Sequence, residues 1–134
     1  MADISKIKIE SSTYDIKDVT ARNNLANSTK YSTSETLIGK WINNENLYRI
    51  VVSATSPTTA DTGTNIYNVS SLNINRVIKL EYNLKDTYNE IANGATQLSL
   101  FTRVNGNDRQ IACTVHNSTY LNKPMYIIIE YTKN

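Results

Sequence analysis

Residues Lys30–Val52 read KYSTSETLIGKWINNENLYRIVV, and their reading decides the fold class. A polar threshold gives way to the apolar run ETLIGKWI, which holds the only tryptophan, Trp41. The turn-forming residues Asn43-Asn44-Glu45-Asn46 interrupt that run before LYRIVV resumes it. Two short apolar runs around an amide-rich break predict a β-hairpin.

Working outward, the pattern stays β to the end of the sequence. Ser53–Asn65 is a Ser/Thr/Gly/Pro loop, and NIYNV after it is a short strand. RVIKLEYNL alternates, which puts Ile78, Leu80, Tyr82 and Leu84 on the inward face and Val77, Lys79, Glu81 and Asn83 on the other. KDTYNEIANGATQ is a polar excursion. QLSLFTRV and RQIACTVH flank Asn105-Gly106-Asn107-Asp108, a strong hairpin turn because Asn-Gly tolerates positive φ. MYIIIEYTK closes the pattern. Strands at this spacing predict an all-β head over residues 31–134, a β-sandwich or jelly roll.

Residues 1–30 read separately. SKIKIE alternates, with Ile7 and Ile9 on one face, and TYDI repeats the pattern with Tyr14 and Ile16. Ser11-Ser12 between them suits a turn, so a small hairpin is expected. Asp18 then stands where an N-cap belongs, ahead of a short helix in VTARNNLANS. A two-stranded hairpin is marginal alone in water. This one is expected to dock on the main sheet, on copies of itself, or on a larger body.

Two strands are apolar on both sides. Met125, Ile127, Ile129 and Tyr131 form one face of the last strand, while Tyr126 and Ile128 lie on the other. Leu47 and Val51 likewise oppose Tyr48, Ile50 and Val52. Such strands are buried on both sides, so the outer face needs a cover: the N-terminal section, the long loops, or another subunit. Each side chain so covered is worth about 1.5–3 kcal/mol. A homo-oligomer is therefore expected, with Trp41, Tyr48, Tyr126 and Ile128 as the candidate subunit contacts.

Composition narrows the function classes. The 134 residues suit one ordinary domain. A net charge of +2, with no basic run, argues against nucleic acid or an anionic membrane as partner. No apolar run approaches the ~18–20 residues of a transmembrane helix, and MADISKIKIESS is not a signal peptide. Production in a cytoplasm without export is the expectation. A single cysteine, Cys113, excludes an intramolecular disulfide and any Cys-based zinc site.

Catalytic signals are scarce. His116, the only histidine, lies three residues after Cys113, on the opposite strand face, so the two cannot pair as nucleophile and base. Cys113 shares a face with Ile111 and Val115 and reads as a small core residue. Asp86, Glu90 and Asp108 lie in loops, but their spacing does not single them out as an acid pair. No phosphate-cradling glycine loop or calcium loop is present. No enzyme and no cofactor is expected. Nine tyrosines against one phenylalanine are more telling, because Tyr suits wet, specific interfaces. Tyr88 and Tyr120 fall in loops among Asn, Thr and Lys, which makes them the candidate glycan contacts.

YSTSETLIGKWINNENLY resembles a segment of fibre-like and receptor-binding virion proteins of tailed bacteriophages from low-GC Gram-positive hosts. Tyr31, Ser32, Thr33, Glu35, Gly39, Trp41, Ile42, Leu47 and Tyr48 carry the likeness. The turn departs from it: relatives often have a sequence like Asp-Gly-Lys-Pro where this chain has Asn43–Asn46. YIIIEYTKN is similar to the terminal strand of those domains through Ile127, Ile129, Tyr131, Thr132 and Lys133. ISKIKIESSTYDIKDVTAR is similar to an N-terminal segment that phage structural proteins share, through Ile4, Ile7, Tyr14, Ile16, Lys17, Asp18, Ala21 and Arg22. Residues 53–74 and 85–96 carry no likeness.

The resemblance implies a non-enzymatic virion structural protein, assembled in the host bacterium. It would be trimeric, anchored to capsid or tail proteins by Ile4, Ile7, Ile9, Tyr14 and Ile16, and would present its β head outward. That head would either decorate the particle or bind host-surface carbohydrate. The rival reading from the residues alone is a small free-standing, lectin-like carbohydrate-binding module, monomeric and without an anchor.

Overall fold

The computed structural model describes residues 6–9, 12–15, 19–85 and 97–134. Among these residues the regular structure is three antiparallel sheets, one short α-helix and two 3-10 turns. Strands β1 (Lys6–Ile9) and β2 (Ser12–Asp15) form a two-stranded sheet of their own, with Ile7 opposite Tyr14. Among the described strands they hydrogen-bond only to each other, not to the main sheet. The helix α1 (Val19–Ser28) follows and packs beside β3 (Thr36–Lys40).

The head is a sandwich of two sheets. One has the order β3-β4-β9-β6, with β4 at Asn46–Thr55, β6 at Ile74–Leu84 and β9 at Pro124–Lys133. The other has the order β5-β8-β7, with β5 at Thr64–Asn68, β7 at Leu98–Asn105 and β8 at Asp108–Val115. The pairings nest as in a jelly roll, β4 with β9 enclosing β5 with β8. After the β3–β4 hairpin, every connection crosses between sheets except the β7–β8 hairpin.

Both hairpins follow from their turn residues. At β3–β4 the Asn44 N–H donates to the Trp41 carbonyl at 2.8 Å, and the Trp41 N–H donates to the Glu45 carbonyl at 2.9 Å. Asn44 takes φ +65 there, a left-handed conformation that asparagine tolerates. At β7–β8, Asn105 pairs with Asp108, so the loop proper is Gly106-Asn107. The glycine, at φ +61, occupies the first loop position, the position glycine takes in a type II′ turn.

The core lies between the sheets. Val52, Tyr82, Leu84, Met125, Ile127, Ile129 and Tyr131 face Leu98, Ile111, Cys113 and Val115 from the other layer. β6 corrects one expectation. A bulge between Val77 and Lys79 reverses the alternation, so Val77 packs on the core cluster and Ile78 does not. From Leu80 onward the expected face, Leu80, Tyr82 and Leu84, is the inner one.

Candidate functional site

The expected cover for the outer face of the four-stranded sheet comes in part from the same chain. Arg49 on β4 and Glu130 on β9 are register partners on that face. The Arg49 Nε and Nη2 groups donate to Glu130 Oε1 at 2.9 and 2.7 Å, and both residues are buried. Arg49 Nη1 turns the other way and donates to the carbonyls of Ser28 and Lys30 at 2.9 and 3.1 Å. The Tyr31 ring lies 4.4 Å from the guanidinium carbon. One guanidinium thus ties the C-terminal end of α1 to the head.

The strap from α1 to β3 is held at two further places. The Val51 N–H donates to the Ser32 carbonyl at 2.8 Å. Glu35 accepts from the Tyr131 hydroxyl at 2.5 Å and from Lys133 Nζ at 2.7 Å. Burial pushes the Tyr131 hydroxyl pKa well above the ordinary tyrosine value, and the bond to Glu35 raises it further. Tyr131 also stacks on Tyr48, with ring centroids 6.0 Å apart.

The candidate residues fall in different places. Tyr48 lies on the inner face and packs against the core. Trp41 is half-buried at the β3–β4 turn, and its indole Nε1 is buried without a partner in the structure. Glu45 Oε2 and Thr132 Oγ1 share that condition. Tyr126 is 42% exposed, with Lys85 Nζ 4.0 Å from its ring centroid, and Ile128 beside it is half-buried. Tyr120, in a short 3-10 turn at Ser118–Tyr120, packs half-buried against the core, and its carbonyl accepts from the Ser56 hydroxyl at 2.6 Å. Of the anchor candidates, Ile7, Ile9 and Tyr14 lie on β1 and β2. Ile4, Ile16 and Tyr88 lie outside the described residues, as do the expected N-cap Asp18 and the loop acids Asp86 and Glu90.

A feature missed in the sequence lies at one end of the sandwich. A cavity of about 270 Å³ opens between the β7–β8 turn, the start of β6 and the 3-10 turn at Ser70–Leu72. Its apolar lining includes Val69 and Ile74, both buried. Its polar lining includes Asn73, Asn107, Asp108 and Arg109. The only foretaste in the sequence was the amide-rich turn Asn105–Asp108.

Cys113 and His116, the only cysteine and histidine, lie apart from the strap and the cavity. Cys113 is fully buried, and burial raises its thiol pKa from 9.0 to about 12. His116, exposed just past β8, places Nδ1 2.8 Å from Asp61 Oδ1. Among the described residues no three of His, Cys, Asp and Glu gather closely enough to hold a metal ion, and no helix is long and apolar enough to cross a membrane. Comparison with known proteins found no matching family model, curated protein or solved structure.

Proposed function

We propose that this chain is a non-enzymatic structural protein of a bacteriophage particle, a short trimeric fibre or decoration that an N-terminal anchor joins to capsid or tail proteins. The observation that supports this reading is its two-part build. A hairpin hydrogen-bonded only to itself among the described strands is followed by a helix and a strap that a buried arginine holds to a β-sandwich. A fixed strap gives α1 and the head a defined relation, which a stubby attachment protein needs and a free module does not. The resemblance at Tyr31–Tyr48, Tyr126–Asn134 and Ile4–Arg22 supports the same reading.

The strap reduces the area that neighbours must cover. What remains for a second copy on the outer face is centred on Tyr126 and Ile128, with Ile42 89% exposed at the β3–β4 turn. Two jobs fit an outward head: decoration of the particle, or adsorption to host-surface carbohydrate. The free-standing lectin-like module keeps one observation in its favour, the cavity at the end of the sandwich.

Electron microscopy of particles carrying the tagged chain tests the proposal directly, with molar mass by light scattering beside it. A trimer located on capsid or tail is the expected result. A monomer absent from particles would overturn the virion reading and favour the free-standing module.

A further inference from the structure

We propose that the cavity at the turn end of the sandwich binds one neutral sugar ring, a hexose or N-acetylhexosamine unit. This deepens the adsorption reading and rests on it only for the source of the sugar. Size comes first: about 270 Å³ lies just under the ~300 Å³ at which pockets begin to take drug-sized ligands. That leaves room for a single small ring.

The wall chemistry then selects the class. Val104, exposed, and the rim of Ile74 supply a small apolar surface for the C–H face of a sugar, backed by the buried Val69. Asn73 and Asn107 supply amides that both donate and accept, as a ring of hydroxyls requires. Among the described residues neither amide has a side-chain partner. Asp108 and Arg109 add an acceptor and a donor of opposite charge beside the Ser70 hydroxyl and the Asn134 amide, so hydroxyls can be met from several sides.

The lining is also held in place. Arg109 Nη1 donates to the Asn75 carbonyl at 3.2 Å, and the Arg109 N–H donates to the Ser70 hydroxyl at 2.8 Å. The Val69 N–H donates to the Arg109 carbonyl at 2.9 Å. Asn73 sits at φ +51, closing the 3-10 turn. A site preformed in this way loses little entropy when a ligand docks.

The test uses the full chain with glucose, galactose and N-acetylglucosamine, followed by ligand-observed NMR and titration calorimetry, with L-alanine as a zwitterionic control. Saturable binding of at least one sugar is expected. Asn107→Ala and Asp108→Asn should each weaken it by about tenfold, the loss of one or two hydrogen bonds. Val104→Trp, a change at an exposed residue of the lining, should abolish it. Thermal melts identify any variant that fails to fold, and Asn73→Ala then stands in its place. No saturable sugar signal, binding of L-alanine alone, or binding untouched by these changes would overturn the proposal. Particle microscopy reads the virion assignment independently, so each can fail without the other.

Discussion

Arg49 and Glu130 face each other across β4 and β9 as an ion pair at 2.7 Å, with side chains only 9% and 11% exposed. Removing one member of such a pair leaves a buried, uncompensated charge, which costs about 3–5 kcal/mol. Arg49→Ala is expected to lower stability by that order in a urea titration. Replacing both residues by Met should recover most of the loss, because two well-packed apolar side chains tolerate burial. The double variant still lacks the donors to Ser28 and Lys30, so hydrogen exchange should quicken at residues 28–34 while the core stays protected.

Thr132 offers the opposite case. Its hydroxyl is buried without a partner, beside Leu47 and Arg76 in the sheet register. A buried, unsatisfied polar group costs about 1–3 kcal/mol. Thr132→Val keeps the shape and removes the group. The variant is expected to be as stable as the parent or up to about 1 kcal/mol more stable, and a lower urea midpoint would contradict this.

Alkaline pH should unfold the head in a defined window. Burial raises Cys113 from 9.0 to about 12 and Tyr82 from 10.0 to about 12, and it raises Tyr131 further still. A raised folded-state pKa means that the unfolded chain loses its proton first. The stabilisation is whole below pH 9 and drains away as pH climbs toward 12. Stability should begin to fall above pH 9, and Cys113→Ala should delay that onset to about pH 10, where the tyrosines of the unfolded chain ionise. In the native state at pH 8, a thiol reagent should leave Cys113 untouched; in denaturant it should titrate one thiol per chain.

Gly63 packs against the outer face of the three-stranded sheet. An added Cβ would lie 2.7 Å from Arg103 Nη2 and 3.1 Å from the Phe101 ring tip. The arginine end can swing away, so Gly63→Ala should cost only about 1 kcal/mol. Gly63→Val should cost more, because its added methyl groups crowd the Phe101 ring as well as Arg103. Melting curves of the two variants give the comparison.

Much of the head was legible because its strands obey simple alternation. Met125, Ile127, Ile129 and Tyr131 fall on one face, as read, and Cys113 sits in the core with Ile111 and Val115. The ten residues VTARNNLANS form the expected helix. Alternation failed at Val77, where a bulge inserts one residue and no turn-forming side chain announces it. It also concealed the strap. Arg49 and Glu130 are two polar residues inside apolar strands, and only the register of β4 on β9 turns them into a buried pair. The cavity was invisible for the same reason: Ser70 and Asn73 come from a 3-10 turn and Arg109 from β8, and no local pattern joins them.

The central place of β9 has a consequence for how the molecule is made. Its partners β4 and β6 are synthesised well before it, and both of their pairings wait for residues 124–133. Until that segment leaves the ribosome, two bare sheet edges stand open to other nascent chains. Pairings between segments so far apart in sequence also form slowly. Crowded expression is therefore expected to favour tangled aggregates, and slowing synthesis or cooling the culture should raise the yield of properly closed heads.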